Sequence, residues 1–263
     1  MPRLAANIST LFTELPFLDR IDAAAAAGFA AVECQFPYAA DATAIAERLA
    51  RAAMQLVLFN SPPGRPESGE RGLASLPGRE ADFDASIRLA AQYAQATGCR
   101  RVHVMAGLLP PGSERLRHVE QFVSGIARAA DQLAGVGATV LIEPINTRVD
   151  VPGYLLDGTT LALECIANAG RSNLQLQYDV YHMQIMEGDL IRSIERLLPA
   201  IGHIQVADNP GRHEPGSGEI NFRRVLERID ALGYSGFVGC EYVPESTTLA
   251  GLAWARPWLR GGT

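Results

Sequence analysis

The sequence predicts a (β/α)8 barrel, and three observations predict it. Short β-like runs alternate with longer helical ones from end to end, a pattern that implies a parallel sheet. The repeats number eight, which favours closure into a barrel over an open doubly wound sheet. The length, 263 residues, is ordinary for one such barrel.

In chain order, the first strand is read over Leu4–Ile8 and its helix over Pro16–Ala27. A strand at Ala31–Phe36 and a helix at Ala42–Ala53 follow, then a strand at Leu56–Asn60. Next comes Ser61 to Arg79, SPPGRPESGERGLASLPGR, too rich in Gly and Pro for a helix. Loops of this length in a compact domain are often lids or binding loops. The pattern resumes with a helix at Ala81–Thr97, a strand at Arg101–Ala106, a helix at Leu116–Ala134 and a strand at Thr139–Glu143. Helices at Thr160–Ala169, Asp189–Leu198 and Phe222–Leu232 then alternate with strands at Leu174–Asp179, Ile201–Ala207 and Phe237–Glu241. A last helix is read at Thr247–Trp254. Gly28, Gly98, Gly170, Gly202 and Gly233 sit where helix C-caps are wanted. A dinucleotide-binding fold would need G-x-G-x-x-G after the first strand, and Ile8-Ser9-Thr10-Leu11-Phe12 has none. No linker or second composition regime interrupts the chain, so one domain over 1–263 is expected.

Composition narrows the function classes. At 48% hydrophobic and 20% charged residues, the chain can bury one large core. A formal charge of −6 argues against a nucleic-acid backbone binder, which wants a basic stripe. No run of eighteen apolar residues appears, and MPRLAANIST lacks the pattern of a secretory signal. Four scattered cysteines, Cys34, Cys99, Cys165 and Cys240, read as reduced, buried thiols of a cytoplasmic protein. Homo-oligomerisation is left open.

Strands covered on both faces should be almost wholly apolar, and several here are not. In Leu174-Gln175-Leu176-Gln177-Tyr178-Asp179, apolar and polar residues alternate, so one face is greasy and the other polar. The greasy face must pack on helices, which turns the polar one into the barrel. His203 and Gln205 alternate with Ile204 and Val206, Glu143 shares a face with Leu141, and Glu241 alternates with Cys240. Asn7, Glu33 or Gln35, Asn60 and His103 occupy comparable places on the earlier strands. Glu143, Asp179 and Glu241 end their strands, with Gln205 near the end of its own, and that end of a barrel is where chemistry occurs. Three carboxylates brought together repel one another unless a divalent cation intervenes. Oxygen donors from Glu143, Asp179, Gln205 and Glu241 suit Mg²⁺ or Mn²⁺ better than zinc. Any one of these acids could simply cap a helix or pair with an arginine. Three acids and an amide at matching strand ends are poorly explained that way.

These residues also carry a family resemblance. Leu141-Ile142-Glu143-Pro144-Ile145-Asn146, Tyr178 to Gln184, Gly202 to Asp208 and Gly239-Cys240-Glu241-Tyr242 resemble the hydroxypyruvate isomerase family of xylose-isomerase-like barrels. So do Ala5-Ala6-Asn7, Phe36-Pro37-Tyr38, Leu76 to Glu80, His213 to Gly216 and Gly218 to Asn221. The resemblance implies that Glu143, Asp179, Gln205 and Glu241 ligate the metal and that Glu143 and Glu241 are the catalytic pair. Many related ketose 3-epimerases place a histidine where this chain has Gln205. Val102 to Gly107 and Phe59-Asn60 look more like the neighbouring 2-oxo-tetronate isomerases, whose substrate is one hydroxymethylene longer.

The implied reaction interconverts hydroxypyruvate and tartronate semialdehyde, with a small hydroxy-keto acid as the only expected partner and neither nucleic acid nor membrane. His182 is a candidate donor to a substrate oxygen, against the alternative of a solvent-facing residue at a helix start. Arg212, in Asp208-Asn209-Pro210-Gly211-Arg212, is a candidate partner for the substrate carboxylate, against the alternative of a loop arginine at the surface. Three rivals compete. An abasic-site endonuclease of the same superfamily should carry a histidine-rich multi-zinc site and basic loops, which five histidines and a charge of −6 do not suit. A non-catalytic sensor should lack one of the two glutamates. An epimerase or dehydratase of a larger polyol should have a larger pocket under the Ser61–Arg79 loop.

Overall fold

The computed structural model describes residues 2–259. Eight parallel strands close into a barrel in chain order: β1 (Arg3–Asn7), β2 (Ala31–Cys34), β3 (Gln55–Asn60), β4 (Arg101–His103), β5 (Thr139–Ile142), β6 (Leu174–Asp179), β7 (Ile201–Val206) and β8 (Phe237–Cys240). The helices around it are α1 (Asp19–Ala26), α2 (Ala42–Arg51), α3 (Glu80–Thr97), α4 (Arg115–Ala134), α5 (Thr159–Ala169), α6 (Val180–Met186), α7 (Leu190–Leu197) and α8 (Phe222–Ala231). Each strand expected from the sequence is present. The expected terminal helix is instead a 3-10 segment at Ala250–Trp258, with Pro257 inside it. None of the helices among the described residues is long and apolar enough to cross a membrane.

Two apolar regions form because side chains alternate across each strand. The larger lies between barrel and helices and includes Val32, Val102, Ile142, Leu176 and Ile204. The smaller, Ala5, Ala31, Val57 and Phe237, plugs the N-terminal end of the barrel interior. Above that plug the interior turns polar, with Asn7, Glu33, Gln177, His203 and Gln205 all buried. The four cysteines are buried and unpaired. Burial pushes their thiols up, to about 12 for Cys99 and about 11 for Cys165, so none is poised as a nucleophile.

Two register shifts aim residues into this interior. Between β2 and β3, Val32 pairs with Leu56 but Cys34 pairs with Phe59. The extra residue on β3 reverses its parity, so Val57 joins the plug, Phe59 faces the helices and Asn60 turns toward the mouth. Between β6 and β7, Leu176 pairs with Ile201 and Gln177 with His203, which leaves Gly202 as the extra residue. Gly202 is thus a strand residue and not the C-cap expected for it. A Cβ there would lie 2.6 Å from Gln175 Oε1 and 2.7 Å from Leu141 Cδ2, so only glycine fits. Gly28, Gly98, Gly170 and Gly233 do take the left-handed conformation at helix ends, as expected.

Glu33 is the hub of the polar layer. It accepts hydrogen bonds from Asn7 Nδ2 (3.0 Å) and Gln205 Nε2 (2.7 Å), and His203 Nε2 lies 2.6 Å from its other oxygen. Its carboxylate occupies the space above Gly239, where a Cβ would come within 2.1 Å of Oε2. Because three neighbours wedge that carboxylate, it has nowhere to retreat. Gly239→Ala is expected to destabilise the protein by about 1–3 kcal/mol, measured by urea unfolding, whereas an unchanged midpoint would show the layer to be loosely packed.

The Ser61–Arg79 connection is an ordered flap. Gly72 N–H donates to Pro63 O, Ser75 N–H to Ala106 O, and His118 Nδ1 lies 2.8 Å from Ser75 O. The flap's own Leu73 and Ala74 are buried. Glu70 ties both of its ends, accepting from Arg65 N–H and pairing with Arg79 at 2.5 Å.

Candidate active site

The C-terminal strand ends surround a cavity of about 200 Å³, lined by Glu143, His182, Arg212 and Glu241 together with Asn60 and His103. The flap contributes Pro63, Pro66, Glu70 and Arg71 to its outer wall. Of the six sequence-predicted site residues, four therefore border one cavity. Asp179 and Gln205 are buried next to those residues.

Glu143 follows β5 and is 4% exposed. Its Oε1 is buried without a hydrogen-bond partner, and Oε2 lies 3.6 Å from His103 Nδ1. Asp179 ends β6 and caps α6, its Oδ1 accepting from Tyr181 N–H at 2.8 Å while Oδ2 has no hydrogen-bond partner. Burial pushes the Glu143 carboxyl well up, helped by Glu241 and Asp179, with Arg212 opposing. Burial raises Asp179 too, against the Arg212 charge. Two buried, unpartnered carboxylate oxygens facing one region are a poor arrangement for the bare protein. They suit a divalent cation. Ligand atoms of Glu143, Asp179 and His182 all lie within 4.8 Å of one another, a spacing compatible with a metal ion held by the two carboxylates beside the imidazole.

His182 is not the solvent-facing residue that a helix start alone would allow. It lies in the first turn of α6, 2% exposed, a helix absent from the expected elements. Its Nε2 is 3.9 Å from Glu143 Oε1 and 3.7 Å from Asp179 Oδ2. Its Nδ1 lies 2.7 Å from Asn146 Nδ2. The Asn146 amide cannot be turned over, because its Oδ1 already accepts from Val149 and Asp150 N–H. Asn146 therefore donates to Nδ1, and the neutral ring carries its proton on Nε2, facing the carboxylates. Burial drives His182 well down, with the Arg212 charge acting the same way, and burial lowers His103 to about 3. Both imidazoles are neutral at pH 7.

Arg212 is held by the loop after β7, which folds around Asp208. That carboxylate accepts from the N–H groups of Asn209, Gly216 and Ile220. Arg212 itself has φ +56°, the left-handed region that a non-glycine residue adopts only when its surroundings impose it. Its guanidinium bonds Glu241 Oε2 at 2.9 Å, lies 3.7 Å from both Asp179 and Asp150, and stacks 5.2 Å above the Tyr181 ring. Burial works against its charge, but Glu241, Asp179, Asp150 and Glu143 outweigh that and hold its pKa above the ordinary value. Sequence reasoning offered Arg212 to the substrate, yet here it answers the site's own carboxylates.

Glu241 follows β8. Its Oε1 accepts from Asn7 Nδ2 (3.1 Å) and Gln35 Nε2 (3.0 Å), so donors hold both oxygens. Burial raises its pKa, with Arg212 opposing. Gln205 lies one layer deeper, its Nε2 donating to Glu33 and its Oε1 accepting from Gln177 Nε2 at 2.6 Å. One lone pair on that oxygen remains.

A family model described as "Xylose isomerase-like TIM barrel" matches residues 21–260. The chain is 49% identical over 259 residues to the 2-oxo-tetronate isomerase of Cupriavidus necator, covering 98% of this chain and 99% of that one. It is 43% identical over 258 residues to the hydroxypyruvate isomerase of Escherichia coli, covering 98% and 100%. A solved structure titled AP endonuclease, family 2, from Brucella melitensis superposes with a TM-score of 0.96 at 46% identity, covering 98% of this chain and all of that one. At 19% identity, a 3-keto-D-glucoside 4-epimerase from E. coli shares the fold with a TM-score of 0.82 over 98% of this chain and 99% of that one. On these matches the chain is an isomerase and belongs to the xylose isomerase-like TIM barrel family.

Proposed function

We propose that this isomerase interconverts hydroxypyruvate and 2-hydroxy-3-oxopropanoate. The observation that carries the reading is Glu143 and Glu241, from strands β5 and β8, bordering one small cavity with His182 and Arg212. A volume near 200 Å³ is small beside the roughly 300–1,000 Å³ of drug-sized ligand sites. It favours an acid of three or four carbons over a hexose and so counts against the larger-polyol epimerase. The Brucella relative is named an endonuclease, but a DNA substrate fits poorly with a charge of −6 and a ligand group holding one histidine.

Glu143 and Asp179 would hold the cation, with Gln205 and Glu241 completing an oxygen set that suits Mg²⁺ or Mn²⁺. When bound, it supplies positive charge that offsets the carboxylates and stabilises negative charge on a substrate oxygen. One glutamate takes a proton from the hydroxymethyl carbon, and its counterpart returns one to the neighbouring carbonyl carbon. The hydroxyl proton passes between the two substrate oxygens. Acid–base help of this kind contributes roughly 10²–10⁴-fold. His182 donates from Nε2 to a substrate oxygen, its ring oriented by Asn146. Arg212 keeps Glu241 in position and partly charged. Buried free thiols suit a reducing, cytoplasmic setting.

A second reading is favoured by Asn60 and His103, 3.3 Å apart in the cavity wall, and by the 49% identity to a 2-oxo-tetronate isomerase. There the substrate carries one more hydroxymethylene. The purified protein is expected to isomerise both acids, and the ratio of their kcat/KM values assigns the substrate. Isomerisation of neither would overturn the proposal.

A further inference from the structure

The floor of the cavity has no positive charge to spare. Arg212 faces Glu241, Asp179 and Asp150, so its charge is already answered by the site's own carboxylates. A substrate carboxylate entering among those acids needs a partner of its own, since a buried unpaired charge is costly.

One side chain on the cavity wall meets that need. Arg71, carried by the flap, lines the same cavity as Glu143 and Glu241. Its guanidinium makes no hydrogen bond or ion pair among the described residues. Its acidic neighbour Glu70 does not neutralise it, being committed to Arg79 and to Arg65 N–H. The backbone beside it is pinned. Gly72 has φ +122°, its N–H reaches Pro63 O, and a Cβ there would lie 2.4 Å from Met105 O. Leu73 is buried directly after it. An exposed long side chain on a fixed base, bordering the cavity and free of internal partners, is placed to bind something that enters.

Resting on the reading of the substrate as a short hydroxy-keto acid, we propose that Arg71 is the carboxylate-recognising residue and so selects keto acids over neutral ketoses. A planar guanidinium can grip a carboxylate through two parallel hydrogen bonds. The carboxylate would then lie under the flap, with the reacting carbons directed toward Glu143 and Glu241.

The test compares Arg71→Gln and Arg71→Lys with the parent protein on hydroxypyruvate and on dihydroxyacetone, its uncharged counterpart. Calorimetry of glycerate, which carries the carboxylate without the carbonyl, reads binding separately. Arg71→Gln is expected to raise the KM for hydroxypyruvate and the Kd for glycerate about tenfold to hundredfold. Its kcat should stay within about twofold, as for a contact made equally in ground and transition states. Dihydroxyacetone should respond alike to parent and variant, and Arg71→Lys should recover part of the loss. Unchanged KM and Kd in Arg71→Gln would overturn the assignment, as would an equal loss for dihydroxyacetone or no glycerate binding by the parent. If the parent binds glycerate but isomerises neither acid, the reaction proposal fails. The glycerate Kd of the variant then still decides the role of Arg71.

Discussion

Replacing Glu143 or Glu241 by glutamine is expected to lower kcat by about 10²–10⁴ or more, with opposite consequences for stability. Glu143 Oε1 has no partner, and its carboxyl is pushed well up by burial and by its acidic neighbours. A carboxyl raised on folding destabilises the native state at every pH above its unfolded value, because the chain must either ionise in a bad place or hold a proton. A neutral amide removes that conflict, so Glu143→Gln should melt at the parent temperature or above it when metal is absent. Burial raises Glu241 as well, but Glu241 differs because it accepts from three donors, Asn7, Gln35 and Arg212. Glutamine offers one acceptor oxygen and turns a donor toward donors, so Glu241→Gln should lose about 1–3 kcal/mol while still folding. Turnover assays with thermal melts of both variants measure the two effects together. Activity within tenfold of the parent in either variant refutes the pair.

This asymmetry was not legible in the chain, although the glutamates were. Glu143, Asp179 and Glu241 stood out because a polar residue ending an apolar strand is anomalous, and parity alone tells which face it shares. What each carboxylate touches is set by barrel closure, which brings Asn7 of the first strand against Glu241 beyond the last. The Glu33 hub arises the same way, from residues 33 and 203 meeting across the interior. Glu33 was one of two candidates on its strand, and nothing local distinguished it from Gln35. Gly202 misled because a glycine between a helix and a strand serves equally as a C-cap and as an extra strand residue, and only the pairing of β6 with β7 separates them. Helix α6 escaped because its seven residues begin directly at the end of β6, with Val180 to Met183 all buried, so no polar face marks a period. With it went the signal that His182 turns inward. Arg71 left no trace, since its role depends on a flap whose path is set by tertiary contacts at Met105 and Ala106.

Chelation is expected to abolish isomerisation, and added Mn²⁺ or Mg²⁺ to restore it, with an affinity that weakens as pH falls. The oxygens proposed to hold the cation belong to carboxyls that burial holds above their ordinary range in the bare protein. A cation binds their ionised form, so loading must displace whatever protons they carry. Falling pH increases that competition, and rising pH relieves it. The same linkage should appear in stability. A ligand that binds only the folded state stabilises it by roughly 2.7 kcal/mol at a hundred times its Kd. The rise in melting temperature on adding Mn²⁺ to chelated protein should therefore shrink on acidification and grow toward higher pH. Asp179→Asn removes one of the two unpartnered oxygens' charges and should reduce that rise at every pH. Asp179 also caps α6, and asparagine is an equally good cap, so the helix start is preserved in that variant. Full turnover after exhaustive chelation would remove the cation from the mechanism. A melting shift independent of pH would place it away from Glu143 and Asp179.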